Sequence, residues 1–366
     1  MTFSGLCQRN NPVSAIKKRR AFGTVAPKRG QLLTYERTPS RKLTAGPNAD
    51  RDSVKSARIL AETKSILKGF AHRLPHPILL ATFLLKYALS DLHLERKARV
   101  KNKLILLEEA NILAIKKSAT VFILGSGPSI NAIPEQKWSA ITKHDSMACN
   151  YWAFHNFVPT FYFYEAIGYR EGKYFEVFRR ITERRAEEYA HCIKIVTGVR
   201  ELAPEFDLFR PNSWARDLYT VYTIPVAARN ELEFVLGLRL ARSLGLFSPS
   251  GRIGFIFKQA SSITGLISLA VRMGYKQIVL CGVDLHSGEC FYQDSELYPD
   301  GAEVEFQPRN GPHKLIAAQP WMIPTDTAVI LMNREILGPA GVKIYVENRS
   351  SRLWPAIPQA PDSLFR

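Results

Sequence analysis

One stretch narrows the possible folds most: the apolar run Thr120–Leu124 ends directly in Gly125-Ser126-Gly127-Pro128-Ser129. A short run with no polar alternation reads as a strand buried on both faces, the kind that parallel sheets use. The glycines after it mark a tight turn, where backbone comes close to a ligand or to another segment. A helix or helical turn is expected next. Further apolar runs at 146–149, 161–164, 193–197, 277–281 and 342–346 read as strands. Helical patterns at 171–189, 262–273 and 325–337 lie between them. This alternation predicts one Rossmann-like α/β domain built on a parallel sheet.

Charge divides the chain in two. The net charge is +17, yet residues 1–118 hold 24 Lys and Arg against 8 Asp and Glu, while residues 119–366 hold 26 against 25. A basic leader therefore precedes a near-neutral body. Residues 1–55, with Lys17-Lys18-Arg19-Arg20 and no apolar period, read as a disordered tail. Its Arg-rich start also fits an organelle transit peptide. Residues 56–118 read as a helical extension, with an apolar segment at 78–89 and a further helix over 104–113. That extension either packs on the body or lies on an anionic membrane surface. The body runs from 119 to 356, and 357–366 is expected as a C-terminal tail.

Five scattered cysteines (Cys7, Cys149, Cys192, Cys281, Cys290) form no CxxC pair, and no histidine cluster has zinc spacing. A disulfide framework and a structural zinc are not expected, and a reducing, cytoplasmic compartment is. No stretch reaches the ~20 apolar residues that span a bilayer. The most apolar run, 78–85, stops at Lys86. No secretory signal is recognised.

Three places could carry chemistry. The glycine turn offers backbone amides to phosphate or ribose oxygens, or is simply a tight structural turn. The unit Lys258-Gln-Ala-Ser-Ser262-Ile-Thr264-Gly265 opens an apolar helix, so its hydroxyls cap the helix or grip a ligand. The helix leads to Gly274-Tyr-Lys-Gln-Ile-Val-Leu-Cys-Gly282-Val-Asp284, which puts Asp284 at a strand's C-terminal end, where such sheets bind ligands. Asp284 is either a loop cap or a site residue. The loop after it, His286 to Tyr292, is rich in hydrogen-bonding groups, and His313 precedes the helix at 325.

The order and spacing of these segments resemble the sialyltransferases of glycosyltransferase family 42. The resemblance rests on the strand and GxGPS turn, Cys149-Asn150, the Phe-Tyr-Phe-Tyr-Glu165 strand, the Ser-Ser helix, the Gly274 to Asp284 stretch and Glu347-Asn348-Arg349-Ser350. It covers about 121 to 352. It implies a variant of the GT-A fold with a lid, acting on a CMP-activated sugar. The family would place Gly125, Ser126, Gly127, Ser129, Asn150, Ser262, Asn348 and Ser350 around the nucleotide and donor. Tyr292 and His286 would take the positions that bind the leaving phosphate. His313 would be the base. Two positions depart from the family pattern: Glu165 stands where an asparagine is expected, and His286 stands where a tyrosine is.

The implied reaction is an inverting transfer to a glycan or glycolipid hydroxyl, in envelope lipopolysaccharide or capsule. His313 takes the acceptor proton, and Tyr292 with His286 stabilises the departing phosphate. No metal or other cofactor is implied, and the one Asp-x-Asp, Asp50-Arg-Asp52, lies in the basic tail. Other readings stay open: another nucleotide-sugar donor (a different nonulosonic acid, Kdo, or the flagellin-modifying type), a nucleic-acid-binding protein working through its leader, and a non-catalytic nucleotide-binding module. Expected partners are a CMP-sugar, the acceptor glycan, an anionic membrane surface at the inner face, and a second copy of the chain.

Overall fold

A computed structural model describes residues 75–101, 103–107, 115–165, 173–198, 218–250, 253–259, 261–286, 288–302 and 321–366. The expected tail, the expected lid and His313 lie outside the described residues.

The core is an eight-stranded sheet in which every pairing is parallel. Its strands are β1 (Ile105–Leu106), β2 (Thr120–Leu124), β3 (Asp145–Cys149), β4 (Phe161–Glu165), β5 (Ile193–Thr197), β6 (Leu218–Thr220), β9 (Gln277–Cys281) and β10 (Lys343–Val346). Two more, β7 (Tyr222–Pro225) and β8 (Phe255–Lys258), pair with each other. The order in the large sheet is β1-β6-β5-β4-β3-β2-β9-β10. The chain thus winds outward from β2 to β6, then returns to the other side of β2 at β9. The reversal between β2 and β9 is a topological switch point, where a doubly wound sheet opens a crevice at its strand ends.

The apolar runs follow from burial on both faces. In β2, Val121 and Ile123 join one core cluster while Phe122 and Leu124 join the other. β4 divides the same way, Phe161 and Phe163 against Tyr162 and Tyr164. Side chains alternate across a strand, so a sheet covered on both sides favours apolar residues at most positions, with Asp145, Ser146 and Lys194 as buried polar exceptions. The architecture is the expected α/β, Rossmann-like one.

Helices cover the faces. The first helical stretch comprises α1 (His76–Lys86), a π-helical turn (Tyr87–Asp91) and α2 (Leu92–Lys101). It is followed by α3 (Glu135–Ile141), α4 (Lys173–Arg184), α5 (Glu231–Ser243), α6 (Ser262–Arg272) and α7 (Thr325–Met332). Asn230 caps α5, its side chain accepting the Glu233 N–H at 3.0 Å.

Several expectations change. Residues 105–106 form an edge strand against β6, not part of a helix over 104–113, so the sheet begins before residue 119. Long-range pairing prevails there over local helix propensity. The apolar segment 78–89 is helical, and the helix is longer than that segment. The helix runs on to Lys101, and among the described residues it is the one long and apolar enough to cross a membrane. The last ten residues pack on the sheet. The Val346 N–H donates to Pro358 and the Ala360 N–H to Val346, while Ile357 and Leu364 are buried.

Candidate functional site

The glycine turn is built by contact between two strand ends. The Gly125 N–H donates to the Cys281 carbonyl and the Gly127 N–H to the Gly282 carbonyl, both at 2.7 Å. A Cβ on Gly125 would sit 2.5 Å from the Gly282 oxygen, and one on Gly127 would sit 2.8 Å from it. Only glycine allows the β2 and β9 turns to touch in this way. The two glycine amides expected to hold phosphate therefore bind the protein's own carbonyls. Ser126 lines the cleft beside them, its carbonyl accepting the Phe291 N–H at 2.9 Å.

Asp284 locks this junction. Its buried carboxylate accepts the Ser129 N–H at 2.9 Å and the Ser129 hydroxyl at 2.5 Å. Ser129 and Asp284 are thus brought together, with Asp284 acting as an acceptor that closes the turn.

At the ends of β3 and β4 a second group converges. Asn150 takes a left-handed backbone conformation at φ 54°, which non-glycine residues seldom adopt. The Tyr162 hydroxyl donates to its carbonyl, and its side-chain oxygen accepts the Glu165 N–H at 3.4 Å. Its amide then donates to the Ser262 hydroxyl at 3.3 Å, and Ser262 donates to the Glu165 carboxylate at 2.9 Å. Lys258 forms an ion pair with the other carboxylate oxygen. The Glu165 carboxylate is therefore neutralised by a lysine at the end of β8.

Of these residues, Asn150 and Ser262 border a cleft of about 130 Å³ that the glycine turn and Asp284 also line. Ser261 and Thr325 also line it. Their hydroxyls are buried without a partner among the described residues, and so are both polar ends of the Gln259 side chain nearby. Cys149 lies in the wall with its thiol pushed up to about 12, chiefly by burial and then by Glu165. Burial thus favours its protonated thiol at neutral pH.

Asp284 also lines a second cleft, of about 410 Å³, with Ser129, Lys137, His286, Asn348 and Ser350. Here Lys137 pairs with Glu347 at 2.6 Å, and the Asn348 amide donates to the same carboxylate at 2.9 Å. The Ser350 N–H donates to the Asn348 side chain at 2.8 Å, closing a small turn. His286 is exposed at this rim.

Tyr292 is placed elsewhere. It is buried in an aromatic cluster, stacked on Phe154 at 5.1 Å and edge-on to Phe291. Neither cleft has it in its wall. Beside its neighbour Phe291, the aromatics it joins, Tyr151 and Phe154, come from the segment after β3. Sequence reasoning named the unit beginning at Lys258 as a candidate without giving Lys258, Gln259 or Ser261 a role of its own, and it missed Lys137. A signal existed for Lys258: Phe-Ile-Phe-Lys ends an apolar run with a charge just before the Ser-Ser pair. Among the described residues, no three His, Cys, Asp or Glu side chains gather as a metal site.

The arrangement offers neutral hydroxyl and amide groups, one compensated ion pair and a closed glycine junction at the switch point. It suits a polar ligand held by many weak donors and acceptors. The chain matches no protein-family model, and no curated protein matches it significantly.

Proposed function

We propose that the chain is a glycosyltransferase that takes a sugar from a CMP-activated donor and passes it, with inversion, to a glycan hydroxyl. One observation carries the reading: Asn150, Glu165 and Ser262, far apart in sequence, meet through hydrogen bonds beside the glycine turn at the switch point. These are positions that the resemblance to family 42 assigns to donor and nucleotide. The orphan hydroxyls of Ser261 and Thr325 add unused hydrogen-bonding capacity on the same wall. A buried polar group without a partner is costly, so a ligand that satisfies it gains affinity. In this reading the fold is a GT-A variant, sialic acid or a related sugar is transferred, and side-chain donors replace a metal. The Glu165–Lys258 pair favours, as a second reading, a donor whose sugar differs from sialic acid, because an ion pair recognises different substituents from an amide.

A thermal-shift series on the full chain with CMP, UDP and GDP tests the nucleotide. At 100 times its dissociation constant, CMP should stabilise by roughly 2.7 kcal/mol. Stabilisation by UDP without CMP would overturn the cytidine assignment. Transfer should also survive EDTA, and activity lost on chelation but restored by Mn²⁺ would count against the metal-independent mechanism.

A further inference from the structure

The helical stretch His76–Lys101 is apolar on two opposite sides. Its inner side is packed: Leu79, Leu80 and Tyr87 are buried, and the His76 ring lies 3.3 Å from the Ala227 carbonyl. Its outer side carries Ile78, Leu85 and Leu89, which are 51%, 58% and 72% exposed. Spacings of seven and four residues set these three on one stripe. A helix of a water-exposed domain normally keeps that stripe polar. A second exposed stripe, Leu232, Leu236, Leu240 and Leu244, runs along α5. The two helices start from one corner, because Ala227 lies just before the Asn230 cap.

Charge identifies what covers this face. Arg96, Lys97, Lys101 and Lys103 are exposed just after the stripe. The sequence before the helix, residues 1–74, holds 16 Lys and Arg against four Asp and Glu. A second copy of the chain, docked face to face, would bring Arg96, Lys97, Lys101 and Lys103 against their like charges. An anionic bilayer neutralises them and takes up the leucines at the same time. Spanning the bilayer is a different arrangement, and the packed inner side together with the buried Glu95 opposes it.

We propose that the outer face of His76–Lys101 is a docking surface for an anionic lipid bilayer. Ile78, Leu85 and Leu89 enter the boundary between headgroups and acyl chains, and the flanking basic residues meet the headgroups. The surface stands whatever the cleft binds.

The test is flotation of the full-length chain with phosphatidylcholine vesicles, with and without phosphatidylglycerol. Binding is expected with the anionic vesicles and should weaken at high salt. The double substitution Leu85→Glu and Leu89→Glu should lower partitioning on the order of tenfold or more and leave the unfolding midpoint in place, since both side chains are exposed. In a second measurement, Leu89→Trp should shift its emission to the blue only with anionic vesicles. Failure of the wild type to float would overturn the proposal, as would a double variant that floats equally well. So would a wild-type dimer that the double variant dissociates without any vesicle binding in either form.

Discussion

Asp284 receives two hydrogen bonds from Ser129, one from the backbone N–H at 2.9 Å and one from the hydroxyl at 2.5 Å. A single residue of the β2 turn thus satisfies a buried carboxylate at the end of β9, on the wall that both clefts share. Hydrogen bonds to charged groups are each worth about 1.5–3 kcal/mol. Ser129→Ala removes the hydroxyl donor and should destabilise by about that amount in urea unfolding. Asp284→Asn should cost at least as much, because its amide cannot accept both donors. If both variants unfold at the wild-type urea concentration, the lock does not hold the junction.

Lys258 and Glu165 form the second relationship to test. Both side chains are partly buried, so their coupling should exceed that of an exposed pair, at about 1–3 kcal/mol. Lys258→Met alone leaves Glu165 with Ser262 and a backbone contact but no cation. It should weaken donor binding more than the double variant Lys258→Met, Glu165→Gln does. A double-mutant cycle on CMP-donor affinity measures this directly. Additive effects of the two single substitutions would mean that the pair does not act as one unit.

The legibility of this chain followed the physics of its sheet. Runs such as 120–124, 193–197 and 277–281 were readable because burial on both faces makes these strands mostly apolar, even with Lys194 inside one of them. Strand β1 was not, since two residues at a sheet edge carry no period, and their helix-like surroundings misled. Helix α5 went unread although Asn230, Glu231 and Glu233 write an N-terminal signal. In the site, positions at strand ends (Asn150, Glu165) meet Ser262 at the start of α6, beside Asp284 after β9. What sequence could not show was which partners satisfied them. The glycine amides were consumed by β9 carbonyls, and Tyr292 was drawn into an aromatic cluster. Both outcomes depend on segments more than a hundred residues away.

His155 predicts an acid sensitivity. Burial first, then the Arg185 cation, lowers its pKa from the ordinary 6.5 to about 4. It stacks on Trp152 at 4.6 Å, and its Nδ1 accepts the Phe157 N–H at 3.0 Å, which requires the neutral ring. The unfolded chain takes up this proton near pH 6.5, and the folded chain only near 4. Between those values the unfolded state binds more protons, so stability falls as pH falls. The loss across the window should be on the order of 3 kcal/mol. Urea unfolding between pH 7 and 4 measures it, and His155→Phe should flatten the slope although it lowers stability at neutral pH. An unchanged slope in that variant would assign the acid sensitivity to another group.

The last prediction separates two histidines in the proposed transfer. His286 sits exposed at the rim of the second cleft, near Asn348 and Ser350, where the resemblance puts a donor to the leaving phosphate. His313 is the base that the resemblance implies. A general base must be neutral to accept the acceptor's proton, so its protonation produces the acidic limb of the rate profile. His313→Ala should lower transfer by about 10²–10⁴-fold, remove that limb and leave CMP binding near normal. His286→Ala should weaken stabilisation of the departing phosphate and lower the rate while keeping the limb. The discriminating measurement is therefore the shape of each variant's pH–rate profile, not its residual rate. If His286→Ala loses the limb and His313→Ala keeps it, the roles are exchanged, and proton removal takes place at the rim that Asp284 and Ser129 hold in place. If His313→Ala matches the wild type in rate and profile alike, the base assignment fails with it.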